Sequence, residues 1–283
     1  MMASSKWISW GLFAVLLWGS AVANVSRGTE VEASLLVRGT IEIEPDGSVS
    51  GYSLDEEGKL PPGVAELLAG LVPTWRFDPV LEDGRAVPVS TRIHIGLRAS
   101  RNENGDLGIH LQGVGFLIPD EESLSWRRRL APVYPPDLWQ ANAQGVVYLL
   151  LKIGRDGIPQ EIAVERVDLL ARASKDSLMA RFRKALADTS RRTAARWRFS
   201  PPTAGSEVDA DFWLVRIPIE FLIPGTPVAE FAYGAWRPYV PGPTQPLPAW
   251  ARSDGAPPEA LVAGLVHQVK REPRLRPASA DEG

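Results

Sequence analysis

Two parts of the chain repeat the same order of hydrophobic and polar positions. Each part has a strand-like run, then an Asp-Gly pair, then a second strand-like run. Ile41 and Ile43 alternate with Glu42 and Glu44, as in a strand with one buried face. Asp46-Gly47 and Asp156-Gly157 follow such runs, and tight turns need residues that tolerate positive φ. The pattern therefore predicts two β-hairpins.

A helical pattern follows each predicted hairpin. Apolar residues recur at spacings of three and four, which is typical of a helix with one buried stripe. The predicted stripes are Val64, Leu67, Leu68 and Leu71 in the first part, and Leu178, Phe182 and Leu186 in the second.

Each predicted helix ends in the motif Trp-Arg-Phe-x-Pro. We expect the tryptophan and the phenylalanine to pack in a core. The arginine is expected in solvent near the helix C-terminus, where positive charge suits the helix dipole, and the proline stops the helix. We interpret the motif as a structural corner without chemistry. Its residues are Trp75, Arg76, Phe77 and Pro79, and then Trp197, Arg198, Phe199 and Pro201.

A third alternating strand closes each part. In the second part Val215, Ile217, Ile219 and Phe221 share one predicted face, and Pro218 lies inside the run. Proline cannot donate a ladder hydrogen bond, so this is expected to be either an edge strand or a strand that is bulged at the proline. At an unpaired edge another chain could add a strand. The predicted partner-binding residues are Phe212, Leu214, Arg216, Pro218 and Glu220.

The predicted fold class is α+β. We expect two tandem small units, each a three-stranded antiparallel sheet with one or two helices packed on it, and a Pro-rich tail. The predicted segments are a signal peptide or anchor at 1–23, units at 33–98 and 131–223, a linker at 99–130 and the tail at 224–283.

The order of these motifs resembles the TonB C-terminal domain family. In the second unit Tyr134-Pro135 is followed by the Asp156-Gly157 hairpin, the Trp-Arg-Phe-x-Pro corner and a last strand, over about 132–222. The first unit looks like a diverged copy that lacks Tyr-Pro. The resemblance implies a periplasmic, non-enzymatic protein that binds a receptor segment by strand addition and supports outer-membrane transport.

The N-terminus predicts export. Lys6 precedes an uncharged, mostly apolar run at 7–23, which ends in a small-x-small cleavage pattern. A cleaved signal peptide would place the protein in the periplasm. The alternative is an uncleaved inner-membrane anchor, which would make the protein an energy transducer. The run contains no histidine, and the spacer at 24–32 reaches only about 30 Å, so both features depart from transducers of the family.

The tail is rich in proline and aromatic residues, with 11 prolines among its 60 residues. It is expected either as an extended peptide for a partner groove or as an arm laid over its own domains. Near its end Leu261, Leu265 and Val269 predict a short amphipathic helix that also carries His267.

Composition and the positions of the histidines argue against several kinds of protein. Among the 283 residues there is no cysteine, and a net charge of −3 argues against a nucleic-acid binder. His94, His110 and His267 lack ligand spacing, so we predict no metal and no cofactor. No catalytic motif is present, although a small cell-envelope enzyme remains the alternative from another class. A homodimer formed by strand swapping also stays open.

Overall fold

The structure is a computed structural model that describes residues 31–82, 84–101, 105–117, 120–205, 207–223, 233–251, 260–263 and 265–269. The fold is mixed α+β with antiparallel sheets. In chain order the elements are β1 (Glu32–Ile43), β2 (Val49–Leu54), α1 (Val64–Leu71), β3 (Leu81–Glu82), β4 (Arg85–Ala86), β5 (Val89–Arg101), β6 (Leu107–Phe116), β7 (Ser125–Arg128), α2 (Pro136–Gln140), β8 (Gly145–Gly154), β9 (Pro159–Leu169), α3 (Asp176–Ala194), β10 (Arg198–Ser200), β11 (Phe212–Phe221), β12 (Arg237–Tyr239) and β13 (His267–Gln268).

Two larger sheets organise the described residues. The first has the strand order β12-β1-β5-β6, and β2 pairs with the other half of β1. The second has the order β13-β11-β8-β9. Strands β7 and β10 form a separate pair, as do β3 and β4. Each larger sheet therefore has more strands than the three predicted, because segments from elsewhere in the chain extend it.

Each sheet has its own hydrophobic core. In the first, alternate residues of β1 and β5 are buried beneath α1, whose Val64 and Leu68 point into the core. In the second, α3 packs on β8 and β9 and buries Phe182 and Leu186. The spacing of apolar residues that predicted both helices is therefore confirmed, since one stripe of each helix faces a sheet.

Both hairpins are present, and both close through a three-residue loop with glycine in the left-handed region. Gly47 has φ +86° and Gly157 has φ +73°. The corner that follows each helix packs on the hairpin turn: Phe77 N–H donates to the Gly47 carbonyl at 2.8 Å, and Phe199 N–H donates to the Gly157 carbonyl at 2.9 Å. The same backbone contact thus occurs in both halves.

The segment predicted as a linker at 99–130 contains regular structure. Strand β6 extends the first sheet and places Val114 and Phe116 in its core. The stretch before the second unit forms a 3-10 turn at Asp120–Glu122 and then β7, which pairs with the corner strand β10. The alternation of apolar and polar residues in β6 was hard to recognise, because its glycines have no side chain on either face of the sheet.

The helix predicted from Leu261, Leu265 and Val269 is wrong in the described residues. Leu261, Val262 and Val266 have no regular secondary structure, the Leu265 N–H donates to the Val262 carbonyl, and His267–Gln268 is a strand. The backbone of this segment is hydrogen-bonded to β11 instead of within a helix.

Candidate partner-binding edge of the second sheet

The two faces of β11 divide by residue parity. Val215, Ile217 and Phe221 lie in the main core of the second sheet, which confirms the predicted shared face. Leu214, Arg216 and the other even-numbered residues point to the opposite face. Strand β8 pairs with the whole length of β11, from Phe212 to Phe221, and so leaves one edge of β11 facing away from the sheet.

The backbone groups of the even-numbered residues point toward that outer edge. The Val269 N–H donates to the Leu214 carbonyl at 2.9 Å, which fixes the direction because polar groups alternate along an antiparallel strand. Pro218 has the same parity as Leu214. Its missing N–H therefore removes nothing from the ladder with β8, which explains how a proline is accommodated in a strand that is paired on its other side.

The expectation that β11 is an exposed strand is wrong: its side chains are buried from Trp213 to Ile219 and at Phe221, and only Phe212 and Glu220 are partly exposed. Leu214 and Arg216 are only 4% and 5% exposed. The tail covers them: β13 pairs antiparallel with β11, with Val215 opposite Gln268 and Arg216 opposite His267. Among the described residues no strand pairs with the outer edge of β11 from Ile217 to Phe221.

The five predicted partner-binding residues meet different neighbours on this covered face. Leu214 packs in a small apolar cluster with Leu150, Val269 and Trp250, and Phe212 lies partly buried beside it. The Lys152 ammonium lies 4.5 Å from the centre of the Phe212 ring. A partner strand would therefore compete with chain segments that already occupy this face.

The polar members of the set are paired. Arg216 binds the carboxylate of Glu165 on β9, and both side chains are buried. Glu220 accepts a hydrogen bond at 2.6 Å from Arg237 of β12, which belongs to the first sheet. Pro218 is buried between these two ion pairs. The structure thus brings the five residues together on one face, but only Pro218 and Glu220 lie on the unpaired part of the edge.

Two clefts flank the open part of this edge. On the core side lies a cleft of about 510 Å³, which is lined by Arg129, Leu130, Pro132, Trp197, Ile217 and Ile219. On the opposite side lies a smaller cavity of about 100 Å³, which is lined by Tyr148, Asp168, Pro218, Glu220, Arg237 and Tyr239. Side chains that alternate along an added strand would enter these two spaces in turn.

The tail also binds both sheets away from this edge. Tyr239 of β12 donates its hydroxyl to Glu32 of β1 at 2.6 Å. The next residue, Val240, exchanges backbone hydrogen bonds with Leu169 at the end of β9. Two consecutive tail residues therefore bridge the two sheets, and the arm laid over its own domains describes this part of the tail.

Two histidines are buried. Burial, together with the charges of His267, Arg38 and Arg92, lowers the pKa of His94 to about 4. Burial also lowers the pKa of His267, whose ring nitrogen contacts the Val262 backbone. Both rings are therefore neutral at neutral pH.

The motif residues serve as packing and turn elements. Burial raises the pKa of Tyr134 to about 12, and its hydroxyl donates to the Ala143 carbonyl at 2.8 Å. The Trp197 indole donates to the Leu130 carbonyl at 2.8 Å, which fixes one wall of the larger cleft. Pro135 precedes α2, and Asp156 accepts the Ile158 N–H in the hairpin turn.

In the first half Trp75 and Phe77 are buried, Arg76 is exposed, and Pro79 follows the corner as Pro201 does in the second.

Sequence reasoning missed Glu165, Arg237, His267 and Gln268. All four act through contacts between segments that are far apart in the chain. No local signal identified these contacts, because the spacing of Leu261, Leu265 and Val269 indicated a helix where β13 lies.

Comparisons with protein-family models, with curated proteins and with solved structures find no match. Within the described ranges no helix is long and apolar enough to cross a membrane, and residues 1–23, where a signal peptide or anchor is predicted, lie outside them. The same ranges contain no cluster of three or more histidine and carboxylate groups that could hold a metal ion.

Proposed function

We propose that this is a non-enzymatic periplasmic protein that binds an extended segment of an envelope protein by adding it to the edge of β11. The partner of this proposal is a periplasm-facing segment of an outer-membrane receptor, so that the protein supports TonB-dependent transport. The observation that carries the proposal is the outer edge of β11, with a cleft on each side at Pro218 and Glu220.

Contacts that are repeated in the two halves support the proposal that the chain contains two tandem TonB C-terminal-like units. In each half a hairpin glycine accepts the backbone N–H of the corner phenylalanine, and the corner tryptophan and phenylalanine meet edge-to-face at 88° and 85°. We infer that the first unit is the diverged copy and that the Pro-rich tail is an arm that holds the two units together.

Backbone pairing would supply much of the affinity, and alternate side chains the specificity. On the open part of the edge the outward groups are the Pro218 carbonyl and the N–H and carbonyl of Glu220. Proline at Val215 or Ile217 would break the ladder with β8 instead, because odd-numbered N–H groups point inward. Glu220→Pro is therefore the substitution that blocks the edge, and Glu220→Ala is its control, since it removes the ion pair with Arg237 but keeps the N–H.

The experiment places a photoreactive phenylalanine at Leu222, beside the larger cleft, and at exposed Leu81 as a control position. We expect an outer-membrane protein to cross-link at Leu222 only. Glu220→Pro is expected to reduce that product at least about fivefold, since one backbone hydrogen bond is worth about 1 kcal/mol. Glu220→Ala should retain it. No product at Leu222, or a product that is indifferent to Glu220→Pro in a folded protein, contradicts the proposal.

The N-terminal residue of the protein from fractionated cells tests the proposed location. A chain that begins at Asn24 in the soluble periplasmic fraction agrees with a cleaved signal peptide. A chain that retains Met1 or Met2 in the membrane fraction contradicts that location and favours the anchored transducer.

A further inference from the structure

The last described part of the tail lies on the same edge that the proposed partner would use. Strand β13 pairs with β11 over only two residues, with Val215 opposite Gln268 and Arg216 opposite His267. One further backbone hydrogen bond joins Val269 to Leu214 at 2.9 Å. Isolated pairing of this length is weak, because two-residue strands bury little surface and form few ladder bonds.

The tail residues just before β13 do not pair with β11 but turn beside the two clefts. The Leu265 N–H donates to the Val262 carbonyl at 3.2 Å and forms a turn. Ala263 in that turn borders both the 510 Å³ cleft and the 100 Å³ cavity. Residues 262–269, which we call the cis strand, therefore lie beside β11 from Leu214 to about Glu220 but pair with only its first part; Gly264 lies outside the described residues.

A few side-chain contacts hold the cis strand. The Gln268 side-chain oxygen accepts the Leu124 N–H at 3.3 Å, and Val269 packs on Leu150 and Leu214. His267 contacts the backbone of Val262 within the cis strand itself. These contacts bind the cis strand to the edge, yet the part of β11 beside the clefts receives no ladder hydrogen bond from the described residues 262–263 and 265–269.

We infer that the cis strand is an intramolecular stand-in for the partner, and that the partner is an extended segment that displaces it and pairs antiparallel with β11 from Leu214 to Leu222. This inference rests on the proposed function for the existence of the partner. The cis strand has the advantage of a high effective concentration, on the order of millimolar for a short connection. A longer partner strand would compensate by pairing over the open part of the edge as well.

The clefts indicate the chemistry of that segment. At the positions that face the core side, apolar residues fit beside Leu130, Trp197 and Ile219. At the alternate positions, small polar residues fit beside Pro218, Glu220 and Tyr239, where the cavity is narrow and the Glu220 and Tyr239 side chains line it together with apolar residues. The partner is therefore expected to alternate apolar and small polar residues.

A disulfide lock tests the inference within one polypeptide. The sequence has no cysteine, so the pair Val215→Cys and Gln268→Cys has no competing thiol. Because Val269 and Leu214 are hydrogen-bonded, the adjacent pair Val215 and Gln268 is of the non-hydrogen-bonded kind, whose Cα atoms lie about 4.5 Å apart, within disulfide range. The probe is a fluorescent peptide with the sequence of residues 260–269, and the protein is the full chain.

We expect the reduced double variant to bind the peptide and the oxidised form to bind it at least about tenfold more weakly, because the lock fixes the cis strand on the edge. Val269→Pro, which removes the donor to Leu214, should bind the peptide about fivefold more tightly than Val269→Ala, which keeps it. Each single-cysteine variant should respond to neither oxidant nor reductant. Equal binding to the oxidised and reduced forms, or no binding to Val269→Pro, would overturn the inference.

The cross-link at Leu222 separates the two proposals. If the peptide follows the expected order but the cellular cross-link ignores Glu220→Pro, the cis strand stands and the proposed function fails. If the cross-link depends on Glu220 but is equal in the oxidised and reduced proteins, the proposed function stands and the displacement of the cis strand is wrong.

Discussion

Arg216 of β11 and Glu165 of β9 form a bidentate ion pair, with the Arg216 Nε 2.9 Å and its Nη2 3.0 Å from carboxylate oxygens. Both side chains are less than a tenth exposed, on the face of the second sheet that the tail covers. The Gln245 N–H of the tail donates to the Glu165 carbonyl at 2.8 Å. Glu165 therefore binds Arg216 through its side chain and the tail through its backbone.

Removing one partner of this pair should strongly destabilise the protein. We expect Glu165→Gln to lower the free energy of unfolding by about 3–5 kcal/mol, because it removes the carboxylate that pairs with the buried Arg216 charge. The double variant Glu165→Leu with Arg216→Met should recover most of that loss, since no charge remains buried. Urea unfolding measures both.

The matched control is an exposed arginine–carboxylate ion pair. Arg181 and Asp137 approach to 2.6 Å, but both side chains are more than half exposed. Asp137→Asn is expected to change stability by less than about 1 kcal/mol. An equal effect at Asp137 and Glu165 would contradict the role assigned to burial.

Replacing a hairpin glycine should strongly lower the free energy of unfolding. A Cβ added at Gly157 would lie 1.9 Å from the Phe199 carbonyl oxygen, and the backbone there has φ +73°. Gly157→Ala combines a steric clash with left-handed strain, and we expect a loss of more than about 3 kcal/mol. Gly63 has φ +80° with open space around its Cβ position, so Gly63→Ala should cost only about 1 kcal/mol. Thermal unfolding of the two variants separates clash from strain, and similar losses would show that the corner contact is unimportant.

The sequence predicted those features that depend on neighbouring residues. Hairpins and helices follow from the order of residues within about twenty positions, and both hairpins and the helices α1 and α3 occur where their patterns lie. The corner motif could be placed for the same reason, since Trp197 and Phe199 follow directly from the end of α3.

The features that could not be predicted depend on distant segments. The cover over Leu214 comes from Trp250 and Val269, and Glu220 is paired with Arg237 of a different sheet. Nothing in the run from Phe212 to Phe221 reveals these partners, so its even-numbered face appeared available for binding. In the tail, Leu261, Leu265 and Val269 fit a helix, yet the backbone of Val269 is satisfied by Leu214 instead. Pairing with an existing strand overrides a weak local preference.

Stability is expected to fall on mild acidification because of the buried histidines. The folded-state pKa of His94 is about 4, below the ordinary value of about 6.5 that applies to the unfolded chain. The unfolded chain therefore binds the proton first as the pH falls, and stability that is fully present above about pH 6.5 is lost progressively toward pH 4. His267, Arg38 and Arg92 oppose protonation of His94, while Asp55 favours it.

We expect the free energy of unfolding to drop by about 2 kcal/mol from His94 between about pH 7 and about pH 5. His267, whose pKa is also lowered, acts in the same direction. The His94→Leu variant should have a correspondingly flatter dependence, and urea unfolding at the two pH values measures the difference. A wild-type profile that is flat over this interval would contradict the burial of these two rings.

The link between the sheets at Tyr239 should be measurable as local opening of the tail. Tyr239 is buried, and its hydroxyl donates to Glu32, whose other carboxylate oxygen binds Arg98 at 2.8 Å. Tyr239→Phe keeps the ring in place but leaves one carboxylate oxygen without its donor, which costs about 1–3 kcal/mol. Amide hydrogen exchange should therefore accelerate in β12 and in the paired part of β1, at Glu32–Ser34, and to a lesser degree at Val240, whose backbone bonds with Leu169 remain. Tyr52→Phe on β2, which pairs with the other half of β1, is the control and should leave exchange at Glu32–Ser34 unchanged. Equal acceleration in both variants, or none in Tyr239→Phe, would mean that the Tyr239 hydroxyl does not hold the tail to the first sheet.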